Sequence, residues 1–534
     1  MASPNKRIFD IAVIGGGSAG CVLANRLSEQ GASVVLLEAG GGNRGPVISM
    51  PAATDLYGIG NPYYDWRYRT ERDPSRNGRS GVWPAGRGLG GSSAINGMVH
   101  MRALPADFEI WTRLGADGWT WEDVQSCYEA THDRSDGRGG LRVCDLAEVH
   151  PTAELFVRSA EHAGLRLTQP LSTASEPGVG LVQVACQNGR RVSNAAAFLD
   201  PVRTRPNLEI LRHAQVRRVL FDRARACGVE YVRLGRTRRI EAGQIVLAAG
   251  AIASPRLLLA SGVGAAADLE RLGIPVIADV RGVGRNLQDH ASVYLTHHVQ
   301  MPTLNSELGW LRRARHGYDW WRRGRGPATT PGGQALAYLS TGPGLPAPDI
   351  QVQFTPIGYR LIDGVLDVPR MDSVTAVVSI NRPHSRGSVR LASADGAAPS
   401  IVDPLLLSDA RDLDTLRRGV RRAAALLADG PLGALLGPSL GSAPDPLAND
   451  ADLDSRIRAL AGTNFHPAGT CRMGATDNPD SVVDPTLRVL GVEGLWVADA
   501  SVMPTVVSAN LNATVTMIAE RAARFVSRAG SSRS

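Results

Sequence analysis

One segment near the start of the chain, residues 8–38, limits the possible folds more than any other. Residues 8–14 form a compact apolar run, which predicts a buried strand, and residues 15–20 read GGGSAG. A helical pattern follows, and a second predicted strand at 33–37 ends at Glu38. A strand, a G-x-G-x-x-G turn, a helix and an acid at the end of the next strand together predict a Rossmann-like unit that binds a dinucleotide.

Each residue type in this turn has a physical role. Gly15 permits the tight turn, Gly17 lets the backbone approach a pyrophosphate, and Gly20 lets the helix pack closely on the strand. The helix that begins near Ser18 offers free N–H groups and a positive dipole end to the phosphates. The carboxylate of Glu38 can accept hydrogen bonds from ribose hydroxyls and would repel a 2′-phosphate, which argues against NADP.

The size and charge of the chain narrow its class. Its 534 residues predict two or more lobes, and 43% hydrophobic with 20% charged residues is ordinary for a globular enzyme. The net charge is +7, but Lys6 is the only lysine, and the arginines are spread along the chain. No nucleic-acid-binding motif accompanies this charge, so we expect no nucleic-acid partner.

The cysteines and the first residues bear on compartment and metal content. The six cysteines are scattered, without a C-x-x-C pair or a His/Cys spacing suited to zinc, so we expect reduced thiols and no metal. Residues 1–17 lack the features of a signal peptide, and no apolar run reaches about 18 residues. We therefore expect a cytoplasmic protein without a transmembrane segment, with peripheral membrane attachment left open.

Five further motifs occur in a fixed order. Residues 86–97 read GRGLGGSSAING and residues 250–262 read GAIASPRLLLASG. Residues 282–290 read GVGRNLQDH, residues 466–474 read HPAGTCRMG, and residues 497–504 read VADASVMP. Together with the dinucleotide turn, these motifs resemble the glucose-methanol-choline family of FAD-dependent oxidoreductases over the whole chain. The resemblance implies FAD as the cofactor and an alcohol as the substrate.

The resemblance also implies which residues contact the FAD. Asn96 and Met98 are expected beside the isoalloxazine, the backbone of Val216 near the adenine, and Asp499 both at a helix N-cap and against the ribityl chain or pyrophosphate. Ile95 occupies the position at which some relatives attach the flavin to a histidine, so we expect non-covalent FAD. The other expected contacts are Arg87, Gly90, Gly91, Ser92, Ala249 and Ala500.

Among the eleven histidines, His466 is the candidate base because residues 464–470 match the family's catalytic loop. A histidine suits the removal of a hydroxyl proton because its ordinary pKa is near neutrality. The matching stretch 508–513 makes Asn510 the second catalytic candidate, as a hydrogen-bond donor to the substrate oxygen, and leaves Asn512 as the helix cap. The remaining histidines are expected to be structural or exposed, among them His297, His298, His316 and His384.

The identity of the alcohol stays open. Relatives that use choline place a glutamate where this chain has the neutral Gln334, which weakens a choline enzyme as an alternative. Phe465 and Phe354 favour an aryl or other apolar primary alcohol, and a larger natural-product alcohol is also possible. A hydroxynitrile lyase, which keeps FAD without net redox, remains a further alternative. Either oxygen or a quinone-like acceptor could reoxidise the flavin, and the oligomeric state is not predicted.

The expected architecture is α/β, with a discontinuous FAD-binding domain and an α+β substrate domain. We assign 1–150, 190–295 and 462–534 to the former, and 151–189 and 296–461 to the latter. The substrate domain is expected to contain an antiparallel sheet with strands at 373–380 and 388–391, and helices at 409–427 and 451–461. A strand over 244–249 should lead to a helix that opens at Ser254-Pro255. Residues 55–85, rich in aromatic residues, form either a lid or a packed loop.

Overall fold

A computed structural model describes residues 8–133, 139–171, 176–362, 365–395, 398–440 and 443–531. Most of these residues lie in thirteen described helices and twenty-five described strands. The helices are α1 (Ser18–Glu29), α2 (Pro46–Ser49), α3 (Pro51–Tyr57), α4 (Pro105–Arg113), α5 (Trp121–Ala130), α6 (Pro151–His162), α7 (Gly250–Ala260), α8 (Ala266–Arg271), α9 (Trp310–Arg323), α10 (Ala410–Ala428), α11 (Gly430–Gly433), α12 (Asp450–Leu460) and α13 (Leu511–Ser531).

The strands are β1 (Ile8–Ile14), β2 (Val34–Leu37), β3 (Tyr68–Arg69), β4 (Val82–Trp83), β5 (Val143–Asp145), β6 (Gly178–Leu181), β7 (Gln183–Gln187), β8 (Arg190–Arg191), β9 (Leu208–Leu211), β10 (Ala214–Asp222), β11 (Arg225–Arg233), β12 (Arg236–Leu247), β13 (Val263–Gly264), β14 (Ala278–Asp279), β15 (Ala291–Val299), β16 (Ala335–Leu339), β17 (Ile350–Thr355), β18 (Arg360–Ile362), β19 (Val365–Asp367), β20 (Ser373–Ile380), β21 (Ser388–Leu391), β22 (Ser400–Asp403), β23 (Leu436–Ser439), β24 (Gly462–Thr463) and β25 (Leu495–Val497). Short 3-10 or π turns lie at Pro74–Arg76, Gly91–Ala94, Ala195–Leu199, Ser306–Leu308, Pro327–Thr329 and Ala500–Val502.

The first of the two seven-stranded sheets contains the dinucleotide motif. Its order is β10-β11-β12-β1-β2-β9, with β25 beside β12. The pairs around β1, β2, β9, β12 and β25 are parallel, whereas β10 and β11 form an antiparallel extension. All four residues of β2 and the last four of β1 are buried apolar residues, as expected of parallel strands covered on both faces. We call this the nucleotide sheet.

The second seven-stranded sheet is antiparallel throughout. Its order is β23-β15-β20-β17-β16-β6, with β24 beside β15. Helices α6 and α10 pack against it, and α10 directs Leu416, Val420 and Ala423 into the shared core. We call this the substrate sheet. The two sheets confirm the expected α/β architecture with a separate antiparallel sheet.

Most predicted elements occur where the sequence placed them. The strand over 373–380 is β20, and the helices over 409–427 and 451–461 correspond to α10 and α12, shifted by one residue. The segment 388–391 is a strand, but it pairs with β22 in a two-stranded sheet and does not join β20. The predicted domain boundary at 295 falls inside β15, which belongs to the substrate sheet.

The helix after β12 begins earlier than predicted. We expected it to open at Ser254-Pro255, but α7 begins at Gly250 and contains Pro255. A proline has no N–H, so it cannot bond the carbonyl four residues earlier. The hydroxyl of Thr470 donates to that carbonyl, on Ala251, at 2.5 Å, and the helix continues without an unpaired carbonyl at this point.

The aromatic segment 55–85 lies against the substrate domain. Asp73 and Arg76 are buried; Asp73 accepts a hydrogen bond from the Leu406 N–H at 3.0 Å, and Arg76 donates to the Ala461 carbonyl at 2.8 Å. Tyr57, by contrast, is half exposed. The later part of the segment is therefore a packed loop, and its first part stays close to solvent. No helix among the described residues is long and apolar enough to cross a membrane.

Candidate active site

A cavity of about 1270 Å³ joins the end of the nucleotide sheet to the substrate sheet. It brings together most of the residues that the sequence suggested. The predicted residues that line it are Gly15, Gly17, Ser18, Glu38, Gly91, Ser92, Asn96, Met98, Val216, Ala249, Asp499, Ala500, Phe465, His466 and Asn510. The lining does not include Gly20, Arg87, Gly90, Gln334 or Phe354.

At one end of the cavity, backbone groups form the dinucleotide turn. Gly15 has a φ of 102°, and a Cβ on Gly20 would overlap the Gly15 carbonyl oxygen, so both positions require glycine. Gly17 is the N-cap of α1 and provides no side-chain hydrogen bond, so the N–H groups of the first turn remain available to an anion. Gly90 donates its N–H to the Gly16 carbonyl at 2.7 Å and holds the second glycine loop against this turn.

Glu38 lies at the end of β2, buried beside the same turn. Its carboxylate accepts hydrogen bonds from the N–H groups of Gly16 (2.7 Å), Gly40 (2.7 Å) and Gly88 (3.0 Å). Burial raises the pKa of Glu38, and these bonds oppose that rise. Because a carboxylate offers about four acceptor positions, one remains for a ribose hydroxyl.

Asp499 follows β25 in the chain, and its carboxylate hydrogen-bonds to the start of α7. One oxygen accepts hydrogen bonds from the Ser501 N–H (2.8 Å) and hydroxyl (2.6 Å), which makes Asp499 the N-cap of the short helix Ala500–Val502. The other accepts from the Gly250 N–H (2.8 Å) and the Ser254 hydroxyl (2.5 Å). The carboxylate therefore fixes two helix starts at the cavity wall, as the predicted cap role requires.

The glycine loop ends with two residues held in a defined conformation. The side-chain oxygen of Asn96 accepts from the Met98 N–H at 3.0 Å and from Arg191 at 2.8 Å, and Met98 adopts a φ of 60°. Sequence reasoning overlooked Arg191, which also donates to the Asn96 carbonyl. Arg87, by contrast, is not part of the cavity wall. Its guanidinium lies over the Trp66 ring, 5.1 Å from the ring centroid, and donates to the Pro62 carbonyl.

His466 and Asn510 also line the cavity, and they are neighbours. His466 Nε2 lies 3.4 Å from Asn510 Nδ2, and His466 Nδ1 lies 2.9 Å from His290 Nδ1. Asn510 in turn accepts a hydrogen bond at its side-chain oxygen from Gln351 at 3.3 Å. Neither His290 nor Gln351 was assigned a role from the sequence, although His290 closes the motif at 282–290.

Both histidines of this pair are held neutral. Burial lowers the pKa of His466 well below its usual 6.5, and the neighbouring His290 lowers it further. Burial lowers the pKa of His290 to about 4, against the opposing effect of the Val507 and Asn381 backbone. At neutral pH, Nε2 of a neutral His466 can accept a proton, provided that its Nδ1 carries the ring hydrogen.

The loop that carries His466 is anchored by Asp289. This buried carboxylate accepts the His466 N–H at 2.9 Å and the Thr463 hydroxyl, and Thr463 in turn accepts the Phe465 N–H at 2.7 Å. Burial raises the pKa of Asp289 to about 7, with the hydrogen bonds opposing the rise. Phe465 has a φ of 65°, uncommon for an aromatic residue, so the loop stores backbone strain next to the candidate base.

Asn512 does not cap the last helix. Helix α13 begins at Leu511, so Asn512 is already inside it. Its side chain accepts from the Ser18 hydroxyl at 2.8 Å and donates to Asn194 at 3.2 Å. Asn512 therefore links α13 to the start of α1, close to the dinucleotide turn, which sequence reasoning did not anticipate.

Two of the three predicted substrate contacts point away from the cavity. Phe354 is fully buried and stacks on Phe156, with ring centroids 4.7 Å apart, and Gln334 accepts the His150 N–H at 2.8 Å. Side chains alternate along a strand, so Gln353 and Thr355, which flank Phe354 on β17, face the cavity instead. β17 reads IQVQFT, so polar and apolar residues alternate along it, and this pattern already indicates that Phe354 faces the core with Ile350 and Val352.

A dinucleotide turn that shares one cavity with a buried, neutral histidine defines a nucleotide-dependent oxidoreductase. Two family models, both described as GMC oxidoreductase, match residues 9–292 and 383–519. The chain therefore belongs to the GMC oxidoreductase family.

Named relatives agree with this assignment. The chain is 37% identical to an oxygen-dependent choline dehydrogenase of Sinorhizobium medicae over 528 residues, which cover 97% of this chain and 95% of that protein. It is also 37% identical to the mitochondrial choline dehydrogenase of Homo sapiens, over 98% of this chain and 90% of the relative. The crystal structure of pyridoxine 4-oxidase from Mesorbium loti superposes with a TM-score of 0.84 at 32% identity, covering 97% and 98% of the two chains.

The family assignment fixes the reaction class. This chain is an FAD-dependent oxidoreductase that acts on CH–OH donors. The structure fits the cofactor, because the two glycine loops leave a backbone-lined cradle at the N-terminus of α1 that opens into the cavity.

Proposed function

We propose that this enzyme oxidises an uncharged primary alcohol to its aldehyde, with non-covalently bound FAD and with His466 as the base. The observation that carries the proposal is the pair of nitrogens, His466 Nε2 and Asn510 Nδ2, 3.4 Å apart on the wall of the cavity that also contains the dinucleotide turn. A hydroxyl oxygen that lies within hydrogen-bond distance of both nitrogens can donate its proton to His466 Nε2 and accept a hydrogen bond from Asn510 Nδ2.

His466 accepts the hydroxyl proton at Nε2. This requires the Nδ1 atom to carry the ring hydrogen and to donate it to His290 Nδ1, 2.9 Å away. His290 can accept because burial keeps it neutral, with its pKa lowered to about 4. We therefore assign His290 as a positioning residue that selects the tautomer of His466.

Asn510 donates to the substrate oxygen. An amide can present either its oxygen or its nitrogen, and here Gln351 donates to the Asn510 oxygen at 3.3 Å, which leaves the Asn510 nitrogen to donate. The Nδ2 group is then directed at the cavity, where it stabilises the negative charge that develops on the oxygen. Replacing Gln351 with Met should release this constraint while keeping the volume of the side chain.

The cofactor would be held by backbone groups near Gly15, Gly17 and Gly91, by Glu38 at the ribose, and by the Asn96–Met98 turn at the ring end. When bound, the flavin supplies the acceptor for the hydride that leaves the alcohol carbon. Ile95 lines the cavity where a linking histidine would have to lie. The next histidine, His100, is buried against His132 and is absent from the cavity wall. These placements support non-covalent attachment.

The charge pattern of the cavity favours an uncharged alcohol. The described acidic residues that line it are Glu38, Glu71, Glu307 and Asp499. Glu38 and Asp499 accept protein N–H groups, Glu307 pairs with Arg312 and His316, and Glu71 is exposed. A quaternary ammonium needs an aromatic cage with nearby negative charge. Phe465, Tyr294 and Tyr359 offer aromatic surface without such a charge, which supports an aryl or other apolar alcohol and weakens choline.

Anaerobic spectroscopy of the purified holoenzyme tests this proposal. Benzyl-type, furanic, aliphatic, sugar and pyridoxine-like alcohols and choline are added one at a time while the flavin absorbance is followed. We expect bleaching by an aryl or other apolar alcohol, release of the flavin on acid precipitation, and formation of one aldehyde per flavin reduced.

Each other outcome points to a named alternative. Bleaching by choline alone would overturn the substrate assignment, and flavin that stays with the acid-precipitated protein would overturn non-covalent binding. If no alcohol bleaches a bound flavin, a lyase that catalyses no net oxidation becomes the better assignment, and cyanohydrin cleavage is the next assay. Admitting air afterwards distinguishes the acceptors, because rapid recovery of absorbance indicates oxygen and slow recovery a quinone-like compound.

A further inference from the structure

Helix α9 carries its large apolar side chains on the outside of the molecule. Trp310, Leu311, Tyr318 and Trp321 are exposed by 71%, 65%, 57% and 66%. At 100° per residue, these four and Ala314 fall within one sector of about 100° on the helix surface. A surface helix normally directs such a stripe at the core, so the arrangement is inverted and marks an interaction surface.

The helix is nevertheless firmly attached by its opposite side. Trp320 is buried, donates its ring N–H to the Gly189 carbonyl at 2.8 Å, and is covered by the Arg190 guanidinium 4.3 Å from the ring centroid. Arg313 donates to the Tyr57 hydroxyl at 2.9 Å, and His316 lies 2.8 Å from Glu307. The outward stripe is therefore a fixed feature of the fold.

Positive charge borders the stripe. At 100° per residue, Arg322 and Arg315 lie about 20° and 40° beyond Leu311 on the helix surface. Residues 307–325 contain six arginines and two carboxylates, Glu307 and Asp319. Both carboxylates form ion pairs with arginines of the helix, namely Arg312, Arg315 and Arg323. Tryptophan and tyrosine prefer the boundary between lipid headgroups and acyl chains, and arginine is attracted to anionic headgroups.

We propose that the outer face of α9 binds the surface of an anionic phospholipid bilayer. An amphipathic helix with tryptophan and leucine on one face and arginine along its flanks lies in the plane of such an interface. The other side of α9 contributes Arg313, His316 and Gly317 to the wall of the active-site cavity. Binding would thus place this wall next to the lipid, within reach of alcohols or electron acceptors that dissolve in the bilayer.

A second copy of the chain fits this face less well. A twofold interface brings the same patch of two molecules together, so Arg315 and Arg322 of one copy, which flank the stripe, would approach the same arginines of the other. That repulsion has no counterpart at an anionic membrane, where each arginine near the surface contributes favourably.

Co-sedimentation of the holoenzyme with lipid vesicles tests the proposal. We expect binding to vesicles of phosphatidylcholine with about 30% phosphatidylglycerol, weak binding to phosphatidylcholine alone, and release at high salt. Replacing Trp310 and Trp321 together with alanine should weaken binding about tenfold. Replacing Arg315 and Arg322 together with glutamine should weaken it roughly twentyfold.

The chain offers matched controls. Leu234 and Leu447 are exposed by 81% and 93% elsewhere, and Leu234→Ala with Leu447→Ala should leave vesicle binding unchanged. Arg236→Gln with Arg238→Gln, on the exposed start of β12, removes the same charge as the α9 variant. Bound flavin and turnover of a water-soluble alcohol should persist in all variants.

Three results would overturn the proposal. One is absence of binding to the anionic vesicles, and another is binding that the α9 variants and the controls weaken equally. The third is a dimer in sedimentation velocity that the Trp310 and Trp321 replacements convert to monomer, which would assign the face to a second copy. The vesicle assay requires no substrate, so its result is independent of the proposed alcohol chemistry.

Discussion

The nucleotide and substrate sheets contribute to the wall of one cavity by different means. At the nucleotide sheet, the wall is mainly backbone: glycines at 15–20 and 86–91 bring main-chain groups together, and Glu38 and Asp499 bond to N–H groups. At the substrate sheet, the wall consists of side chains, among them Gln353 and Thr355 of β17 and Val377 of β20. A backbone wall depends on where glycines stand, whereas a side-chain wall depends on the direction in which each residue points.

The largest expected effect comes from replacing the candidate base. His466→Ala removes the base and should lower the rate constant of anaerobic flavin reduction about 1000-fold, while the flavin remains bound. Stopped-flow absorbance with the best alcohol from the panel measures this rate. His384→Ala, in an exposed loop, is the matched control and should reduce at the normal rate. Reduction within threefold of the unaltered rate in the His466 variant would remove this residue from the mechanism.

A backbone change should instead act through the cofactor. In Gly20→Ala, the added methyl overlaps the Gly15 carbonyl oxygen, so the turn must shift, at a cost of about 3 kcal/mol. We expect most of the flavin to be lost on purification and the thermal midpoint to fall. Gly342→Ala, where no atom lies within 4 Å of the added methyl, should retain both. Full flavin content in the Gly20 variant would contradict the description of this wall.

The alternation along β17 gives a smaller and more specific contrast. Gln353 faces the cavity. Gln353→Leu should therefore change the ratio of kcat/KM values between alcohols by about tenfold and leave the free energy of unfolding nearly unchanged. Phe354 faces the core, so Phe354→Leu should cost about 1–2 kcal/mol of unfolding free energy and leave the preference order intact. Steady-state kcat/KM for the panel and urea unfolding measure the two effects. The reverse pattern would mean that the strand register is different.

The smallest expected effect is in the pH dependence. The pKa of His466 lies well below 6.5, so the neutral base should persist as the pH falls to that value and be lost only at lower pH. The rate constant of flavin reduction should therefore change less than twofold between pH 8 and 6.5. An ordinary histidine would already be half protonated at pH 6.5. Asp289, which anchors the His466 loop and has its pKa raised to about 7 by burial, also titrates in this range, so Asp289→Asn is the control. A decline centred near pH 6.5 that persists in this variant would show that the holoenzyme exposes His466 more than the structure does.

These contrasts explain how much the sequence could predict. The strand, turn and helix of residues 8–38 could be located because glycines at fixed spacing and compact apolar runs report directly on backbone geometry. His466 and Asn510 were located by motif resemblance, and they lie together as expected. The roles of His290, Gln351 and Arg191 could not be predicted, because each depends on a contact between segments that are distant in the chain.

The failures at Gln334 and Phe354 have different causes. Gln334 precedes β16, which is buried on both faces, so polarity there does not indicate which face meets the cavity. The alternation of β17, IQVQFT, places Phe354 on the apolar face, so an aromatic residue was chosen there against the pattern of its own strand. For the segment 388–391, which pairs with β22, the partner strand is known only from the folded chain.

The hydroxyl of Thr470 donates to the Ala251 carbonyl of α7, the hydrogen bond that Pro255 cannot make. This contact affects how substrate specificity can change. Together with Asn286, which donates to the Gly469 carbonyl at 3.1 Å, it ties the loop after His466 to the nucleotide side of the molecule. The base thereby keeps its place relative to the cofactor cradle, whatever happens on β17 or β20. Directed evolution can therefore randomise Gln353, Thr355 and Val377 to reach new alcohols, provided that Gln351, which orients Asn510, is left unchanged.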